Sequence, residues 1–162
     1  MTTNFGKNQG VANTLDTYLQ QDKPRFSILL QGKWGSGKTW FIRNYIDSKK
    51  DKKYKYCYVS LFDIEHLKEI DSQILAYCNP ILSKAEGAGR FAGGIIERCI
   101  PLIKDTDVKD LGKLLTKFCK IPKNLVLVLD DLERTLIPME LVLGYVSNML
   151  DEVGIKVILL CD

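Results

Sequence analysis

A mostly parallel β-sheet with helices on both faces is the fold class this sequence predicts, and three features predict it. A short apolar run at residues 26–31 ends in a glycine-rich turn that opens onto a helical pattern. A second run, LVLVLD after Asn124, is continuously apolar, as a strand buried on both faces requires. Around them, strand-like and helix-like segments alternate, which implies parallel strands joined by right-handed crossovers. At 162 residues, 46% hydrophobic and 27% charged, the chain is long enough for one core and is read as one domain over 1–162.

Taken in order, residues 8–21 place Val11, Leu15, Tyr18 and Leu19 at helical spacing, stopped by Lys23-Pro24. Such a helix either flanks a nucleotide base or simply packs. Phe26 to Gln31 is the first strand, and Lys38 to Ser48 the next helix, with Phe41, Ile42, Tyr45 and Ile46 inward. Tyr54 to Ser60 alternates as a half-buried strand does. Asp63 is then placed to cap a helix running to Cys78, with Ile64, Leu67, Ile70 and Ile74 along one stripe, ended by Asn79-Pro80. Residues 80–104 have weak periodicity and four glycines, Gly87, Gly89, Gly93 and Gly94, and the stretch from about 80 to 120 is expected to form a helical insertion. Its last part carries Val108, Leu111, Leu115 and Phe118 at helical spacing. The second buried strand and its acidic end occupy 125–131. Pro138 suits the first turn of a helix through Leu150, with Leu141, Val142, Tyr145, Val146 and Met149 inward. The last strand is 155–161, finishing at Asp162.

The turn after the first strand, Gly32-Lys33-Trp34-Gly35-Ser36-Gly37-Lys38-Thr39, matches G-x-x-x-x-G-K-[ST] at every fixed position, between a strand and a helix as that motif demands. Backbone N–H groups opening onto a helix N-terminus meet phosphate charge with fixed dipoles. Gly32, Gly35 and Gly37 let the backbone curl where a Cβ would obstruct it. Lys38 supplies a point charge for the β- and γ-phosphates, and the Thr39 hydroxyl is placed to ligate Mg²⁺. Trp34 and Trp40 bracket the loop. Trp34 either covers the nucleotide or packs against the sheet edge.

An acid at the carboxyl end of a buried strand in the same sheet is where a second Mg²⁺ contact is needed. Asp130 would hold that metal, and Asp131 sits where a carboxylate polarises the attacking water, with Glu133 as the alternative. An acidic pair after a strand can also be a helix N-cap. Coupled to a phosphate loop about 90 residues upstream, it reads as metal and water chemistry instead.

Composition narrows the remaining classes. The formal charge of +3 comes partly from the run Ser48 to Lys55. That run lacks the groove or stacking pattern of a nucleic-acid surface and reads as a solvated loop. The five cysteines are scattered without C-x-x-C pairs, and His66 is the only histidine, which disfavours a zinc site or disulfide framework and suits a reducing cytoplasm. The N-terminus lacks a secretory pattern and no apolar run is long enough for a membrane span.

The combination of GKWGSGKTWF, YVSLFDI, VLVLDDLER and VILLCD resembles the KAP family of P-loop ATPases from about residue 8 to the end. The resemblance implies ATP and Mg²⁺ as cofactors, with hydrolysis driving a change of conformation or assembly state, through self-association or within a larger complex. Bacterial members are often associated with exclusion of phage. By the same resemblance the loop residues 32–39 with Trp40 bind nucleotide, Thr39 and Asp130 bind Mg²⁺, and Asp131 is the base. Arg134 is the family's arginine after the acidic cluster, and Asp162 falls where a polar residue senses the γ-phosphate. The family's architecture also implies a further strand, a lid and a distal arginine finger beyond Asp162, so a fragment of a longer protein with slight activity in isolation is expected, incomplete at its C-terminus. Many members place membrane-spanning helices in the insertion; here it is too polar for that.

Other classes fit less well. A small-molecule kinase needs an acceptor pocket and an arginine-rich lid, whereas D-D-L-E-R favours water as acceptor. A GTPase needs N-K-x-D after a strand, which is missing. A nucleotide-gated interaction module with little hydrolysis remains the non-enzymatic alternative.

Overall fold

The four strands found among the described residues run parallel in one sheet, in the order β1-β4-β3-β2. The computed structural model describes residues 5–49, 53–78 and 121–162, so the expected insertion at about 80–120 lies outside the described residues. Strands β1 (Ile28–Gln31), β2 (Lys55–Ser60), β3 (Leu125–Asp130) and β4 (Lys156–Cys161) alternate with helices α1 (Gln9–Gln20), α2 (Lys38–Ser48), α3 (Leu67–Cys78) and α4 (Met139–Asn148). Thus β4 lies between the strand that carries the glycine-rich loop and the strand that carries the acids.

Helices cover both faces, as the continuous apolar character of β3 requires. Leu125, Leu127 and Leu129, with Val157 and Leu159, pack against α3 and α4. Val126, Val128, Ile158 and Leu160 face the opposite way, against α1 and α2. Every residue of β3 is buried, and each such Leu or Val contributes roughly 1.5–3 kcal/mol by leaving water. Cys57 is buried, and Cys78 and Cys161 pack at the border of the same core.

Three expectations need correcting, each for a physical reason. The first strand starts at Ile28, two residues later than its apolar run. The N–H and C=O of Val157, on the side of β4 that faces β1, are taken by the buried Tyr18 hydroxyl, which accepts from the N–H at 3.0 Å and donates to the carbonyl at 3.1 Å. A side chain of α1 thereby occupies the Val157 N–H that a β1 extended back to Phe26 would use, and the Tyr18 ring packs on Phe26 with centroids 5.4 Å apart. Asp63 does not cap α3. It sits in the left-handed region at φ 62°, held because residues 61–64 are stitched to the turn after β3: Leu61 N–H donates to the Asp130 carbonyl at 2.8 Å and Leu136 N–H to that of Ile64 at 3.0 Å. The helix starts at Leu67, where Glu69 reaches back to accept from the His66 N–H at 2.9 Å, one half of a capping box. Leu141 faces solvent at 44% exposure. It lies about 100° round the helix from Val142, while Val142, Tyr145, Val146 and Met149 occupy the buried stripe; Pro138 precedes the helix, and a π turn over Met149–Val153 leads to Gly154.

Within the basic run, Lys49 pairs with Asp16 at 2.5 Å and Lys53 lies over the Tyr54 ring. Among the described residues no helix is long and apolar enough to cross a membrane.

Candidate functional site

The loop between β1 and α2 is built largely by its own backbone. Ser36 N–H donates to the Lys33 carbonyl at 3.0 Å, and Gly32 N–H reaches the Cys161 carbonyl on β4 at 3.2 Å. Gly35 and Gly37 have φ of 74° and 87°, where an L side chain is strained. At Gly32 a Cβ would come within 2.9 Å of Ser36 Oγ. Gly37 leads into α2 without any side-chain cap, so the first amides of the helix open onto the loop with the positive end of its dipole. The Lys38 amine folds back across this cradle, donating to the carbonyls of Gly32 at 2.6 Å and Lys33 at 3.4 Å, and forms an ion pair with Asp162.

The acidic end of β3 is built by residues far apart in sequence. Asp130 is 4% exposed. Its Oδ2 accepts from the Thr39 hydroxyl at 2.8 Å and from the Tyr58 hydroxyl, and its Oδ1 accepts from the Asp131 N–H at 2.8 Å. Asp131 takes a left-handed conformation, φ 59°, and its carboxylate accepts from Ser60 Oγ at 2.7 Å. It precedes the short 3-10 turn Leu132–Arg134 without capping it, so the N-cap reading of the acidic pair does not hold. Glu133 accepts the Asp162 N–H at 3.2 Å, which ties it to the end of β4.

Tyr58 and Ser60 were not singled out from the sequence. The alternation of β2 sets Tyr56, Tyr58 and Ser60 on one face, and the parallel register places Ser60 opposite Asp130; the register itself is invisible in the sequence. Burial, reinforced by the hydrogen bond to Asp130 and its charge, pushes the Tyr58 hydroxyl up to about 12 against the opposing Arg43. Tyr58 therefore stays a donor. Arg43, one turn into α2, lies 4.9 Å over its ring.

These groups line one cleft of about 370 Å³. It joins Trp34, Gly35, Gly37, Lys38, Thr39 and Trp40 from the loop and α2 to Asp130, Asp131, Glu133 and Asp162 from the ends of β3 and β4. Gly32, Lys33 and Ser36 shape the loop without lining the cleft. Arg134 stays outside it, with its guanidinium over the rings of Trp34 and Phe62. Trp34 and Trp40 are 71% and 69% exposed, so Trp34 is not packed on the sheet edge.

The residues fit a phosphate with a hard divalent cation. The Thr39 hydroxyl and the Asp130 carboxylate stand 2.8 Å apart, two oxygen donors of the kind Mg²⁺ takes while phosphate and water fill its other positions. Among the described residues no cluster of three or more His, Cys, Asp or Glu side chains could hold a metal.

A family model described as the KAP family P-loop domain matches residues 8–109. The matched span contains α1, the glycine-rich loop, α2, β2 and α3, and ends before Asp130. No curated protein matches the chain.

Proposed function

The chain belongs to the KAP family of P-loop domains, and from that premise we propose that it binds Mg²⁺·ATP in the Gly32–Thr39 loop and hydrolyses it with water activated at Asp131. Mg²⁺ held between Thr39 and Asp130 would offset the charge that develops on the phosphates. Phosphate oxygens are met by the loop amides and the first turn of α2. Lys38 exchanges Asp162 for those oxygens, and the freed Asp162 remains at the cleft wall, where it can respond to the γ-phosphate. Asp131 accepts the proton of the attacking water. Glu133 is the weaker candidate for that role, because its carboxylate is engaged at the end of β4.

The observation that carries this reading is the conformation of Asp131. A non-glycine residue at φ 59° stores about 1–3 kcal/mol, and here it keeps the carboxylate on the cleft wall, held by Ser60, on the same cleft as Lys38 and Thr39. The family supports the further step in which hydrolysis changes conformation or assembly.

Phosphate release from Mg·ATP and Mg·GTP, across a range of protein concentrations, tests the proposal with Lys38→Ala and Asp131→Asn alongside. ATP turnover is expected to vanish in both variants, and nucleotide binding only in Lys38→Ala. If ATP binds through Lys38 and no phosphate appears at any concentration, the hydrolase reading is wrong. A nucleotide-gated module then takes its place; the Lys38–Asp162 ion pair favours that second reading, because admitting a phosphate already requires a rearrangement at the end of β4.

A further inference from the structure

Arg134 follows the acidic cluster, yet its guanidinium carbon lies 4.0 Å from the centre of the Phe62 ring and 5.2 Å from that of Trp34. Three separate segments meet there: the phosphate loop supplies Trp34, the loop after β2 supplies Phe62, and the turn after β3 supplies Arg134. Both ends of the arginine backbone are anchored. Its N–H donates to the Asp131 carbonyl at 2.9 Å, and its carbonyl accepts from the Asp63 N–H at 3.4 Å. Trp34 for its part follows Lys33, whose carbonyl accepts from both Ser36 and Lys38. The indole is therefore attached to the outer limb of the cradle, and the guanidinium to the turn that carries Asp131.

We propose that Arg134 is a positioning residue: its guanidinium clasps the Trp34 indole together with the Phe62 ring, and so fixes the outer limb of the phosphate loop to the turn carrying Asp131. A planar guanidinium can stack on aromatic faces, which a lysine ammonium, a hydrated point charge, does less well. The effect on nucleotide rests on the reading that the loop binds ATP, whereas the clasp itself is made of side-chain contacts that involve no nucleotide.

Trp34 supplies the readout. In a Trp40→Phe background Trp34 is the single indole of the chain, and its acrylamide quenching is measured without nucleotide for Arg134→Ala, Arg134→Lys and Phe62→Ala, followed by Mg·ATP affinity and turnover. Because Trp34 is already 71% exposed, Arg134→Ala is expected to raise the quenching constant by up to about 1.4-fold and to weaken Mg·ATP binding about two- to fivefold, the range of an exposed cation–π contact. Phe62→Ala should move both quantities the same way although Phe62 does not line the cleft, and Arg134→Lys should recover less than half of the loss. Unchanged quenching in both alanine variants would overturn the clasp. So would an Arg134→Ala protein that loses turnover while quenching and Mg·ATP affinity stay at the parent values, since Arg134 would then act on the reacting phosphate itself. If the parent binds no nucleotide, the ATP reading is what fails, and the ligand-free quenching still decides the clasp.

Discussion

The glycine-rich loop and the acidic end of β3 face each other across one cleft and are built by opposite means. The loop closes mainly on itself, through contacts three to six residues apart such as Ser36 to Lys33 and Lys38 to Gly32. The acidic end is assembled over 71 to 91 residues, by Ser60 on Asp131, Tyr58 on Asp130 and Thr39 on Asp130. A pocket for phosphate can thus be specified by a local string of residues. The chemistry proposed for that phosphate would depend on the packing of the whole sheet.

The sharpest way to break this division is Asp131→Asn. Turnover should fall at least about 100-fold, as for loss of a general base, with Mg·ATP affinity within about threefold of the parent by calorimetric titration; equal damage to both would join the two halves. A second prediction separates the site from the stability of the frame. Asp71 lies between α3 and α4, accepts the Tyr145 hydroxyl at 2.7 Å, and its other oxygen has no partner among the described residues. Burial, only partly opposed by that hydrogen bond, pushes its carboxyl up to about 7. The folded protein thus holds the proton to higher pH than the unfolded chain, so stability should decline from about pH 4 to pH 7 and level off above. Urea midpoints at pH 5 and pH 8 should show a loss of a few kcal/mol from this group, reduced in Asp71→Asn, with nucleotide affinity unmoved by the substitution.

Gly37→Ala tests the local half alone. A side chain at φ 87° costs about 1–2 kcal/mol, which should appear as a melting temperature lower by a few degrees where the loop keeps its shape, or as up to roughly tenfold weaker nucleotide binding where it relaxes. Tyr58→Phe has the smallest expected effect: Asp130 loses one donor worth about 1 kcal/mol, and the Mg²⁺ concentration for half-maximal activity should rise about fivefold.

The same division explains what was legible. The loop could be read residue by residue because its glycines answer to backbone sterics, and β3 because a strand buried on both faces has no polar position to spare before Asp130. Tyr58, Ser60 and Arg43 could not be assigned, since their roles follow from the register of β2 on β3 and from where α2 lands. Asp63 misled for a related reason: its residue type suits a helix cap, but the backbone bonds to the turn after β3 decided its conformation. Tyr18 looked like one more apolar position of α1, and only the path of β1 shows its hydroxyl acting as strand backbone. Trp34 and Arg134 were singled out separately; nothing in the chain order says that they touch.

The position of β1 has a consequence for how the protein breathes. Among the described residues β1 and β2 each have a single neighbouring strand, and β1, with four residues and Leu29 52% exposed, is the shorter. Local opening draws on the least supported segment, so the amides of residues 28–31 should exchange with deuterium well before those of β3. In such an excursion the phosphate cradle comes loose while Asp130 and Asp131 keep their places, and a bound nucleotide, by bridging the two, should slow that exchange far more than it slows the exchange of the core.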